Sequence, residues 1–134
     1  MATHPFSLDR LVSRLIAAEL PQAVRRGSLV VNDVPPGTWL GADETLVETV
    51  LAKLLCQTIL SSHQGCIRVS AWQEEGFTQI ALRDNNSDYS RYISGKMNKV
   101  EPLLRRLDAG IEFEFNRRGS IRIVLHFSHR RRVA

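Results

Sequence analysis

The stretch that most constrains this chain is residues 43–86. Apolar side chains at Leu46, Val47, Val50, Leu51, Leu54, Leu55 and Ile59 recur three and four residues apart. That is the period of an α-helix with one face turned to a core. Asp43 suits the N-cap, and Gly65 suits the stop after a helix running to about Ser62. Ile67, Val69 and Ala71 then alternate with Arg68, Ser70 and Trp72, so 66–73 is expected as a strand. Glu74, Glu75 and Gly76 supply a turn, and 78–83 returns as a second strand. This hairpin ends on Arg83, Asp84, Asn85, Asn86, Ser87 and Asp88.

The flanking segments add a second helix and more strands. Ser7 reads as an N-cap, with Phe6 and Leu11 as a hydrophobic staple. Leu8, Leu11, Val12, Leu15, Ile16 and Leu20 form its apolar stripe. Pro21 is expected to kink or restart this helix, which closes at Arg25, Arg26 and Gly27. Residues 28–33 read as a strand, and Val34, Pro35, Pro36 and Gly37 as a turn. Residues 85–100 are polar, with Tyr89, Tyr92 and Ile93 as the sizeable anchors before Met97. Pro102 opens a short helix with Leu103, Leu104 and Leu107 inward, and Gly110 is expected to end it. Ile111, Phe113 and Phe115, then Ile121, Ile123, Leu125 and Phe127, alternate as a terminal hairpin. Trp39 and Trp72 read as packing residues.

Helix, strand, helix, hairpin, helix, hairpin predicts an α/β fold. The expected form is a two-layer sandwich, a mixed and mostly antiparallel sheet of about five strands covered on one face by about three helices. The 134 residues suit one domain over 6–128, with tails at 1–5 and 129–134. No apolar run approaches the roughly 20 residues of a membrane span. Cys56 and Cys66 have no metal spacing, so a reduced, cytoplasmic chain is expected. No catalytic triad or P-loop can be named. Residues 1–90 hold seven Lys/Arg against ten Asp/Glu, whereas 91–134 hold eleven against four. Arg117, Arg118, Arg122, Arg130, Arg131 and Arg132 are therefore a possible basic surface for nucleic acid or an acidic partner. No aromatic residues interleave them for base stacking, which disfavours nucleic acid.

As an ordered set, these segments resemble the ATP-binding catalytic domain of sensor histidine kinases, within the GHKL ATPase superfamily. Phe6, Ser7 and Leu8 resemble the opening of that domain, and residues 50–59 resemble its N-box helix. Residues 80–85 resemble the strand entering the G1 box, and 110–127 the closing hairpin. The resemblance covers nearly all of 6–128. It implies ATP binding, with adenine held by the G1 aspartate, here Asp84, and Mg²⁺ by two N-box asparagines.

The chain departs from that pattern where phosphate chemistry sits. Lys53 and Gln57 stand at the asparagine positions; Gln57 keeps a carbonyl for Mg²⁺, but Lys53 has no acceptor. Asn86 and Asp88 replace the G1 glycines, which allow backbone to approach a ligand. Gly95 is a poor match to the glycine-rich lid. The expectation is a degenerate ATPase-type domain without kinase or ATPase activity and without a cofactor, acting as a regulatory or self-associating protein-interaction module in bacterial-type signalling. The alternative is a sensor or anti-sigma-type kinase domain binding ATP and Mg²⁺ through Asp84, Lys53, Gln57, Asn85, Asn86 and Gly95. Nucleic-acid binding is a third option.

Overall fold

A computed structural model describes residues 4–88 and 99–128. The expected two-layer sandwich is what the chain forms. A two-residue strand β1 (Phe6–Ser7) leads into helix α1 (Leu8–Arg25). Strands β2 (Leu29–Asn32) and β3 (Trp39–Leu40) precede helix α2 (Glu44–Ser61). Strands β4 (Cys66–Glu74) and β5 (Phe77–Asp84) form the hairpin. Helix α3 (Glu101–Leu107) and strands β6 (Ala109–Phe115) and β7 (Ile121–Ser128) complete the domain. The main sheet has the order β2-β4-β5-β7-β6, with β2 and β4 parallel and every other pair antiparallel. β1 and β3 make a separate small ladder that the sequence reading did not foresee.

Ser7 caps α1, its hydroxyl accepting from the Arg10 N–H at 3.4 Å. Asp43 caps α2 in the same way through Leu46 N–H at 3.1 Å. α2 is the central helix, packing on α1, α3 and β5. Val47, Val50, Leu51, Leu54, Leu55 and Ile59 are all buried. Thr58 is fully buried among them because its hydroxyl donates back to the Leu54 carbonyl at 2.7 Å, which satisfies it within the helix. Ile67, Val69, Ile80, Leu82, Ile121, Ile123, Leu125 and Phe127 complete the core from the sheet. In the terminal hairpin β7 buries the face that its alternation predicts, whereas on β6 Ile111 and Phe113 are half-buried and Phe115 is 41% exposed.

Three expectations are corrected. α1 does not restart at Pro21, which lies inside one continuous helix. Pro21 and Ala17 are both exposed, so the carbonyl that loses its donor is solvated by water instead. Gly110 does not end α3. Asp108, at φ 53, makes the left-handed stop, and Gly110 lies in β6 opposite His126. Trp39 is not a packing residue, being 56% exposed on β3. Tyr89, Tyr92, Ile93 and Met97 lie outside the described residues.

Pro21→Ala restores a helix donor at an exposed position and is expected to stabilise the fold by on the order of 1 kcal/mol. Leu11→Ala, at a site 1% exposed, is expected to cost about 2–5 kcal/mol. Urea unfolding followed by circular dichroism measures both.

Candidate functional site

β5 carries Ile80, Leu82 and Asp84 on its helix-facing side, because alternate residues of a strand share a face. The last of these three inward positions therefore places a carboxylate in the core wall. Asp84 is 1% exposed. Its Oδ1 accepts the Asn86 N–H at 3.2 Å, whereas Oδ2 is buried with no hydrogen-bond partner among the described residues. Burial raises the Asp84 pKa above the ordinary carboxylate value. The Asn86 N–H, the Ser62 hydroxyl, the Asn85 N–H and the nearby His63 oppose that rise without cancelling it.

Gly65 explains how the carboxylate is enclosed. A Cβ at this position would lie 2.4 Å from Asp84 Oδ1 and 2.7 Å from Ser62 Oγ. Glycine is required here for space, since the carboxylate occupies the volume of its missing side chain. The Gly65 N–H donates to Ser28 Oγ at 3.1 Å, and Ser28 and Ser62 hydroxyls pair at 2.7 Å. Ser28 thus joins the start of β2 to the end of α2 behind the acid.

The segment after Asp84 is fastened on both sides. His63 N–H donates to the Asn86 carbonyl at 2.9 Å, and Asp88 N–H to the Ser61 carbonyl at 2.7 Å. Ser87 N–H donates to the Gly119 carbonyl at 2.7 Å. Asn86 also uses its side-chain amide on the His63 carbonyl. Asn85 uses its side-chain oxygen on the Cys66 N–H at 2.8 Å. Asn85 and Asn86 are thus engaged in structural contacts, and residues 85–88 run along the end of α2.

Lys53 and Gln57 sit four residues apart on α2 and do share a cleft, of about 360 Å³, with Lys99 and Val100. Asp84 does not line it; it borders a different cleft, of about 550 Å³, at the end of the sheet. The candidate nucleotide residues are therefore divided between two concavities among the described residues. The Lys53 cleft presents two ammonium groups and one amide. That donor set suits an anion, and Gln57 alone offers an oxygen of the kind Mg²⁺ prefers. No group of His, Cys, Asp and Glu among the described residues could hold a metal ion. Gly95 lies outside the described residues.

The basic set is also divided. Arg117 and Arg118 are exposed on the β6–β7 turn. Arg122 lies on the open side of the sheet, paired with Glu114 at 3.4 Å, its guanidinium 5.7 Å from the centre of the Trp72 ring. Arg130, Arg131 and Arg132 lie outside the described residues. The companions of Arg122 are Arg68 and Arg83, on the adjacent strands. Their polar positions in each strand were visible in the sequence, but their lateral alignment depends on strand register.

No protein-family model matches the chain, and no curated protein matches it by sequence. Solved structures do. The Acinetobacter baumannii histidine kinase AdeS superposes with a TM-score of 0.82 at 16% identity, over 98% of this chain and 70% of that one. The catalytic domain of histidine kinase ThkA superposes with a TM-score of 0.79 at 12% identity, over 96% of each chain. Full-length ShkA in complex with AMPPNP gives 0.76 at 12% identity, over 92% of this chain and 30% of that one. The fold is accordingly the GHKL-type fold of histidine-kinase catalytic domains.

Gly65→Ala must displace the Asp84 carboxylate and is expected to destabilise by about 1–3 kcal/mol. Gly41→Ala, with nothing within 4 Å of the added carbon, is expected to change stability by less than about 0.5 kcal/mol. Thermal unfolding of the two variants compares them. Asp84 gives a pH signature as well. Because its folded pKa is raised, the native state holds the proton more tightly than the unfolded chain. Stability is fullest below the ordinary carboxylate pKa and falls as pH rises through the folded value. Asp84→Asn is neutral throughout. Its melting temperature is expected to exceed that of the parent at pH 7, with the gap closing as pH falls through the raised folded value and gone by about pH 4.

Proposed function

We propose that this chain, with the fold of a histidine-kinase catalytic domain, is a degenerate member of that architecture. It acts as a regulatory, protein-binding module rather than as a kinase or ATPase. The observation that carries this reading is the separation of Asp84 from Lys53 and Gln57. In the resembled family, one nucleotide is to be held by all three positions at once. Here the acid is enclosed by Gly65 and Ser62, and the α2 residues open on another cleft. Phosphoryl transfer depends on preorganised positive charge and Mg²⁺ around the phosphates. Lys53 supplies charge but no metal ligand, and Asn86 and Asp88 replace the glycines that would let backbone N–H groups approach. A protein-binding role is in keeping with ThkA, which has been solved in complex with the response regulator TrrA. This chain covers 42% of that ThkA.

A second reading is favoured by one specific feature, the unpartnered Asp84 Oδ2. A buried acceptor without a donor carries an energetic cost that a ligand can remove. An exocyclic amine reaching that oxygen would do so, with Lys53 and Lys99 available for phosphates and Gln57 for Mg²⁺. The AMPPNP bound to ShkA is the corresponding example.

A thermal-shift titration with Mg-ADP and Mg-ATP separates the two. The expected result is no shift of the melting temperature at millimolar nucleotide. A true binder at a hundredfold excess over Kd gains on the order of 2.7 kcal/mol, which is readily seen. A shift that disappears in Asp84→Asn would establish the second reading in place of the first. Sedimentation velocity then reports whether the module associates with itself.

A further inference from the structure

We propose that the open side of the sheet, opposite the helices, is a docking surface for an acidic segment of a partner protein, with Arg83 as its central anchor. The surface is built by register. Arg68 on β4 is directly opposite Arg83 on β5, and Arg83 is directly opposite Arg122 on β7. Each of the three lies at a position alternating with core residues, so all three leave the sheet on the side opposite the described helices. Adjacent strands are about 4.8 Å apart, which aligns three guanidinium-bearing residues within about 10 Å.

Like charges directly opposite one another destabilise a sheet, and the described residues relieve this at both ends of the row but not in the middle. Arg68 pairs with Asp33 at 2.9 Å, and Arg122 pairs with Glu114 at 3.4 Å. Arg83 is exposed, and among the described residues it forms no ion pair. The two flanking pairs show carboxylates as the groups that arginines in this row accept. The third carboxylate is absent from the chain's own described residues.

The surroundings suit an extended chain. Ala81 and Val124 on this side are already covered by neighbouring side chains, and the Trp72 ring lies beside the Arg122 guanidinium. The cleft of about 550 Å³ at this end adds Asn116 and Ser120 as polar lining. Alternate side chains of an extended segment are about 6.6–6.8 Å apart, so two acidic residues can span the row. Guanidinium forks grip carboxylates in two-point contacts, which gives direction as well as attraction. This surface is distinct from the Lys53 cleft on α2, although Asp84 borders the same end cleft.

The test uses the full chain at low ionic strength with a fluorescein-labelled hexaglutamate peptide flanked by Gly-Ser, followed by anisotropy. Saturable binding is expected, weakened at least about tenfold by Arg83→Gln and unaffected by Arg117→Gln on the neighbouring turn. Arg83→Lys keeps the charge but loses the fork, and is expected to fall between the two. Arg83→Gln is also expected to melt no lower than the parent, because it removes two like-charge neighbours, so weakened binding is not read from an unfolded chain. Absence of saturable binding, or equal affinity of the Arg83→Gln and Arg117→Gln variants, overturns the proposal. Displacement of the peptide by a lower concentration of pyrophosphate or duplex DNA overturns it in favour of a phosphate ligand. Mg-ADP binding with peptide binding intact leaves this surface in place and removes only the reading of the chain as nucleotide-free.

Discussion

A carboxylate enclosed at the end of the central strand is the constraint around which this domain closes. Asp84 is 1% exposed, and an acid in that position must be held by donors and by close packing or it will draw water into the core. The donors come from the backbone just beyond it and from Ser62 at the end of α2. The packing comes from Gly65, where any side chain would collide with the carboxylate. Through these contacts the end of α2, the start of β4 and residues 85–88 are fastened to one point. Ser28 brings the start of β2 to the same place.

That arrangement separates two properties that the fold commonly combines. The scaffold requires α2 buried against the sheet, and here its apolar face is buried along its length. Nucleotide chemistry requires in addition that the surface of α2 and the end of β5 open on one cavity with backbone free to approach phosphate. In this chain the N–H groups of Asn86, Ser87 and Asp88 go to Asp84, Gly119 and Ser61, and the side chains of Asn85 and Asn86 go to Cys66 and His63. The scaffold forms with Lys53, Gln57, Asn86 and Asp88 at the resembled nucleotide positions. The same separation gives meaning to the opposite side of the sheet. Three arginines in lateral register are a local cost that the hydrophobic core does not need.

How much was legible in sequence depended on the range of the interaction concerned. The caps at Ser7 and Asp43, the buried stripe of α2 and the alternation of both hairpins are local patterns with periods of 3.6 and 2, and the structure keeps them. The misreadings were also local rules, applied where context overrode them. Pro21 is expected to kink or restart the helix, but it lies inside one continuous helix on an exposed face. Gly110 was expected to stop a helix that Asp108 stops in the left-handed conformation. Asp84 was singled out as an acid at a strand end, yet nothing nearby in sequence reveals that Gly65, Ser62 and Ser28 would surround it.

By itself, then, the sequence determined the elements, the inward faces and the layered architecture, because hydrophobic periodicity states which side of each helix or strand must leave water. It also determined which residue types stand at the resembled nucleotide positions. Only the tertiary structure decided which side chains meet. It placed Asp84 and Lys53 on different clefts, and it put Arg68, Arg83 and Arg122 side by side from strands that begin or end up to several tens of residues apart. The physical reason is register. A strand's pattern says which face a residue occupies, but its neighbours across the sheet are set by pairings that form only when the whole core closes.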